Sequence, residues 1–241
     1  MPKKLKRTGK SKPTKRTIEI EPSISAIDRT TTFFTENWRL FVVVFVLLGM
    51  VATVVVLWMR RAEQMELRAS FLLSQGVAKL KEADGLSGEE ADKAYNGALE
   101  VFQNLVSDYG ATESGELGVF YMAKSLSRLQ RYGEAAQQYE RFLFSARTDP
   151  LYRSLALRSL GFAYQHEKDY EKALASLDEL EEMEGGFLTG DSMLARAQLY
   201  EEMGKMQEAL ELYREFLKEH PDSTESSRVQ RRVAFLEKKL Q

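Results

Sequence analysis

The sequence contains no cysteine. That removes disulfides, thiolate nucleophiles and cysteine-ligated metals from consideration. Histidine is nearly as scarce: His166 and His220 are the only two. Each stands alone at a helix-end or surface position, without a second histidine or a carboxylate at zincin spacing, and reads as solvated surface. Nucleophile-elbow (G-x-S-x-G), P-loop and G-x-G-x-x-G signatures are absent. "GLSGEE" (85–90) reads as a turn with helix-capping character. The acidic run "DELEEMEGG" (178–186) reads as a solvated face, because Ca²⁺ needs a defined oxygen-rich loop that is missing here. These absences point away from an enzyme, and neither a cofactor nor a metal is expected. Strand signals are few as well. Ala, Leu, Glu, Lys and Gln recur at helical spacing with short breaks, so the expected fold class is all-α.

Charge is unevenly spread. Residues 1–61 hold 12 Lys/Arg against 4 Asp/Glu, a net of +8, whereas residues 62–241 hold 22 against 32, a net of −10. The acidic sign of the larger part argues against a nucleic-acid partner and keeps it off an anionic membrane surface. Its 180 residues (62–241) are enough for one domain with a real core.

One stretch is far more apolar than the rest: "FFTENWRLFVVVFVLLGMVATVVVLWMRR", residues 33–61. Leu40 to Met59 carries no charge. At helical rise that run is about 30 Å long, the thickness of a bilayer's hydrocarbon core. Trp38 and Trp58 stand at its ends, where amphipathic rings prefer the headgroup level. A cleavable signal fits poorly, because the preceding region and the apolar run are both too long and no A-x-A site follows. Residues 33–61 are therefore expected to be a permanent transmembrane anchor, with 40–59 in the membrane. Residues 1–16 contain eight Lys/Arg and no acid. The positive-inside rule then puts the N-terminus in the cytoplasm and the larger part outside, which in a bacterium is the periplasm of the inner membrane. Residues 1–32 read as a basic, disordered leader and polar linker that touches anionic headgroups. Gly49 is the only glycine of the span, so no small-xxx-small glycine pair argues for anchor dimerisation.

Beyond the anchor, three segments align: "ELGVFYMAKSLSRLQRYGEAAQQYERFLFSARTDP", "SLALRSLGFAYQHEKDYEKALASLDELEEMEGG" and "GDSMLARAQLYEEMGKMQEALELYREFLKEHPDS". Tyr132, Tyr170 and Met206 are each followed three residues later by Ala135, Ala173 and Ala209. Large residues follow at Tyr139, Leu177 and Tyr213, then at Phe142, Leu180 and Phe216. This pattern describes helix-turn-helix repeats of the tetratricopeptide type, about 34 residues long. Ala123, Gly161 and Ala197 in the first helices, and the three aligned alanines in the second, let paired helices approach closely. Leu126, Tyr164 and Tyr200 fill the space between them. A degenerate first unit covers 67–109, with "LRASFLLSQGVAKLKEA" and "AYNGALEVFQNLVSDYG" as its helices, the long loop "DGLSGEEAD" between them, and Ala98, Phe102 and Leu105 at matching offsets. Pro221 ends the last repeat. The repeat domain is thus expected over 62–221. A capping helix follows over 222–241, with Val229, Val233, Leu236 and Leu240 as its apolar stripe.

First helices of such arrays line a concave side. By register, the groove-facing candidates are Phe120, Lys124 and Arg128, then Arg158, Phe162 and Gln165, then Leu194 and Gln198. Their mixture of cationic, amide and apolar groups suits an extended peptide or a partner helix. A Lys/Asn/Arg carboxylate clamp on successive first helices is not present at the matching places.

The order of parts resembles one family. A leader ending in "FFTEN" (Phe33 to Asn37), one span, and a repeat domain containing "LRSLGFAYQHEKDYEKALASLDEL" and "SMLARAQLYEEMGKMQEALELYREFL" are similar to the ancillary SecYEG translocon subunit family (YfgM-like). The resemblance covers about residues 30–218. It implies a periplasmic tetratricopeptide domain that associates with the translocon and a periplasmic chaperone, aiding exported proteins as they emerge. The long Lys/Arg leader and the regular last repeat depart from that family. The same repeat domain also occurs in a periplasmic cell-division coordinator, so an envelope-assembly or division factor is the alternative expectation.

Overall fold

The computed structural model describes residues 31, 33, 35–145, 149–183 and 189–241. The expected basic leader therefore lies almost wholly outside the described residues. The chain divides into two units, Met1–Met59 and Arg60–Gln241. Among the described residues the elements delimited are all helices: α1 (Trp38–Ala83), α2 (Glu89–Tyr109), α3 (Glu113–Arg128), α4 (Tyr132–Leu143), α5 (Pro150–His166), α6 (Tyr170–Glu182), α7 (Thr189–Glu202), α8 (Met206–Glu219) and α9 (Ser226–Lys239).

In the first unit, the apolar part of α1 is long and apolar enough to cross a membrane, and none of its most apolar window is buried within the protein. Thr53 returns its hydroxyl to the Gly49 carbonyl at 2.8 Å, satisfying that polar group inside the helix.

In the second unit, sequential helices pack as neighbours from α2 to α9, and the first helices of successive pairs also touch, α3 with α5 and α5 with α7. The aligned small residues are the points of closest approach. Ala98, Ala123, Ala135, Ala197 and Ala209 are fully buried. Gly161 is needed for space: a Cβ there would lie 3.3 Å from Leu177 Cδ2 and 3.4 Å from the Ala173 carbonyl. In the degenerate first pair the same task falls to Gly76, where a Cβ would meet the Phe102 ring at 2.4 Å. The large residues expected between the helices, Tyr139, Leu177, Tyr213, Phe142, Leu180 and Phe216, are all buried.

The turns inside the three regular repeats are identical. Gln130, Lys168 and Gly204 adopt left-handed backbone with φ of 57°, 62° and 77°. In each, the next residue's N–H donates five residues back: Arg131 to Leu126 at 2.9 Å, Asp169 to Tyr164 at 2.9 Å, Lys205 to Tyr200 at 2.8 Å. A second bond closes the turn from Gln130 to Ser127, Lys168 to Gln165 and Gly204 to Glu201, each at 3.0 Å. This is the Schellman pattern, which satisfies carbonyls left over at a helix end.

Some helix starts carry side-chain caps. The Thr112 hydroxyl accepts from Gly115 N at 3.0 Å, and Asp149 accepts from Leu151 N at 2.8 Å with Pro150 opening α5. A long-range cap adds to this. The Glu66 carboxylate of α1 accepts from Glu113 N at 2.9 Å and from the Ser114 hydroxyl at 2.5 Å, at the start of α3.

Three expectations need correction. The second helix of the degenerate pair starts at Glu89 rather than near Ala94, so only Asp84–Gly88 separates α1 from α2. Glu89, Glu90 and Asp92 fill its first turn, where acids favour the helix N-terminus. Leu240 lies past the end of α9 and is 45% exposed, so the capping stripe is carried by buried Val229 and Leu236 with half-buried Val233. The acids at 178–182 are not merely solvated: Asp178 and Glu181 both pair with Arg196, and Glu179 pairs with Arg153.

Candidate partner-binding groove

The first helices α3, α5 and α7 and the start of α9 enclose a cavity of about 700 Å³. Seven of the eight sequence-derived groove residues line it: Lys124 and Arg128 on α3, Arg158, Phe162 and Gln165 on α5, Leu194 and Gln198 on α7. Phe120 does not. It is 6% exposed, and the rings of Tyr121, Tyr139, Phe142 and Tyr152 surround it with centroids at 5.3–5.9 Å. It sits one helical turn too early, on the part of α3 that α4 and α5 cover. Leu194 is also only 6% exposed and serves both groove wall and core.

The groove has three kinds of surface. Its apolar element is Phe162, 47% exposed, whose ring meets Tyr132 edge-on at 5.9 Å. His166 completes that cluster, stacked on Tyr132 at 4.2 Å and edge-on to Phe162 at 4.4 Å. It is exposed at the end of α5, as expected, but is not alone there. His220 is likewise packed, tilted against Phe216 at 5.2 Å.

The second kind is charged. Arg128 Nε lies 3.2 Å from Asp84, Arg158 3.4 Å from Asp191, and Arg228 2.7 Å from Glu225. The Gln165 amide donates to Glu202 at 2.7 Å. Asp191, Glu225 and Arg228 also line the cavity and were missed from the sequence. Asp191 lies three residues before Leu194, so extending the register by one turn would have found it. Arg228 belongs to the capping helix, which repeat register does not reach.

The third kind is a set of hydroxyls. Ser127, Tyr139 and Ser159 line the cavity together. Burial pushes the Tyr139 phenol up, moderated by the Ser127 and Ser159 hydroxyls beside it. Ser159 Oγ donates to the Leu155 carbonyl at 2.7 Å, whereas Ser127 Oγ is buried without a completed hydrogen bond in the protein.

A second cavity, about 570 Å³, lies between α7, α8 and α9. At its edge the Glu201 carboxylate accepts from Tyr213 Oη at 2.8 Å and from Arg232 Nε at 2.8 Å. Burial pushes the Glu201 carboxyl up, but the hydrogen bonds from Arg232 and Tyr213 outweigh it and hold it below the ordinary carboxylate value. This lock fastens the cap. Among the described residues, no group of three or more His, Asp or Glu side chains could hold a metal ion.

Helix pairs joined by one repeated turn, with a groove along their first helices, define a helix-turn-helix repeat scaffold. The model of the tetratricopeptide repeat-like domain family matches residues 31–239, and the chain belongs to that family. Solved structures share the fold. One is MamA AMB-1, at 15% identity and TM-score 0.50, covering 73% of this chain and 84% of that one. Another is a Podosopora anserina chain described as a kinesin light chain with nearly identical TPR-like repeats. It matches at 16% identity and TM-score 0.54, covering 68% of this chain and 86% of that one. No curated protein matches the chain. Tetratricopeptide repeats bind protein partners, so the groove belongs to a protein–protein interaction scaffold.

Proposed function

We propose that this chain is a membrane-anchored interaction scaffold that works beside a protein-export channel. It holds periplasmic chaperones or emerging exported chains in its first-helix groove. The observation that carries this reading is the convergence of Lys124, Arg128, Arg158, Phe162, Gln165, Leu194 and Gln198 on one open cavity. Support for the setting comes from the apolar run of residues 40–59, the eight cations of residues 1–16 and the resemblance to ancillary SecYEG subunits. Anchoring raises the local concentration of groove and client, so weak contacts suffice.

The test is cross-linking in the native membrane through a photoreactive residue at Phe162. Adducts with translocon subunits, periplasmic chaperones or nascent exported chains are expected. Adducts with septal or envelope-assembly proteins would replace this reading with a division or assembly role. Adducts made only of cytoplasmic proteins would reverse the orientation.

A further inference from the structure

We infer that the groove selects extended segments bearing acidic side chains, and that α3 and α5 supply the selecting cations. This deepens the scaffold reading and rests on it. The argument begins with sign. Residues 62–241 carry a net charge of −10, yet the described groove lining has four cations, Lys124, Arg128, Arg158 and Arg228, against two acids, Asp191 and Glu225. A cationic cleft in an anionic body focuses its field on a polyanionic stretch that enters it.

The cations are available. The Lys124 side chain makes no ion pair or hydrogen bond among the described residues. Arg128 and Arg158 are paired, but both ends are substantially exposed: 51% and 34% for Arg128 with Asp84, 49% and 44% for Arg158 with Asp191. Exposed pairs of this kind contribute little, so an incoming carboxylate exchanges with the resident one at small cost. The resident partners also show which chemistry these guanidiniums are positioned to take.

The groove floor points the same way. Ser127, Tyr139 and Ser159 gather hydroxyls in the same lining. Such hydroxyls can donate to a carboxylate or a peptide carbonyl of an entering segment. Phe162, exposed at the same wall, takes an apolar side chain next to the acid. Alternation of acid and apolar residue is what an extended segment presents to one floor and one wall. Nucleic acid is the less favoured polyanion, because the net charge around the groove repels a long phosphate backbone.

The experiment uses the full chain in neutral phosphatidylcholine nanodiscs. Fluorescent peptides of alternating Glu and Leu, Gln and Leu, or Lys and Leu are titrated at low salt and compared with an oligothymidine strand. The Glu/Leu peptide is expected to bind at least tenfold more tightly than either other peptide. The double variant Arg128→Gln with Arg158→Gln is expected to lose that tenfold preference while keeping its helical circular dichroism. Equal binding of the Gln/Leu peptide, an unchanged double variant, displacement by oligothymidine, or no peptide binding would each overturn the inference. If Phe162 still yields protein adducts in membranes, only the acidic preference has failed. If those adducts are absent too, the groove reading fails with it.

Discussion

The first three helix pairs and the last pair with its cap share a repeat architecture but are held together by different forces. From α1 to α6 one apolar cluster runs without interruption, including Leu80, Phe102, Leu126, Tyr139, Leu157 and Leu177, and of α7 it takes Leu199 among its buried members. The remainder of α7, with α8 and α9, forms a separate smaller cluster around Leu194, Leu210, Tyr213, Phe216 and Leu236. Polar contacts cross the seam between α6 and α7. Arg196 pairs with Asp178 and, at 3.0 Å, with Glu181, and the Ser192 hydroxyl donates to Glu181 at 3.3 Å. Arg158 and Gln165 reach across from α5 to Asp191 and Glu202. In a solenoid, stability is a sum of unit and interface terms. Here the α6–α7 seam adds a cluster of ion pairs on Arg196 to the apolar contact of Leu199, so single charge changes there should weaken it.

The largest effect comes from attacking the apolar side. Phe102 is fully buried against Gly76, and Phe102→Ala should cost about 3–5 kcal/mol. Urea unfolding should then show the first pairs melting before the last. At the seam, Arg196→Ala removes two carboxylate contacts from a side chain only 18% exposed. A loss of about 1–2 kcal/mol is expected, discounted for the partners' exposure. Amide exchange should quicken over α7–α9 and stay unchanged over α2–α4; uniform quickening would mean the seam is not a boundary.

The cap supplies a pH test. The Glu201 carboxyl is held below its ordinary value when folded, so its contribution is complete above about pH 4.3, the unfolded value. That contribution is lost as pH falls through the lower folded value. Protection from exchange in Ser226–Lys239, relative to the intrinsic amide rates, should therefore fall below about pH 4 in the native chain. Glu201→Gln should already show fast exchange at neutral pH, with little further change in acid. The smallest effects test the shared turn. Lys168→Gly removes left-handed strain and should stabilise by about 0.5–1 kcal/mol. Gly204→Ala should destabilise by about 1 kcal/mol, since no neighbour lies within 4 Å and only the backbone objects. Equal and opposite shifts in thermal midpoint would check the pair.

Repeat spacing made the helix pairs legible because small and large residues recur at fixed offsets, and Ala135, Ala173, Tyr139 and Leu177 are buried as that spacing requires. The groove was legible where register alone fixes direction, as at Lys124, Arg158 and Phe162. It failed at Phe120, because an i, i+4 series drifts around the helix and the neighbouring second helix hides one end of it. Partnerships between distant charges left no trace in local pattern. Glu66 at the start of α3, Arg196 across the seam and Arg232 on Glu201 join residues 15 to 48 positions apart. No periodicity encodes such pairs.

Arg228 and Glu225 open α9, yet they line the same cavity as the first helices of the repeats before it. The helix that shields the last core thus stands where another repeat would begin, and acts as an end-stop on a measuring rule. A segment laid along the first helices would be gauged from that stop, so its terminal residues would be read against α9 whatever its total length. Inserting one more repeat ahead of α9 would lengthen the rule by a single graduation and carry the stop along with it.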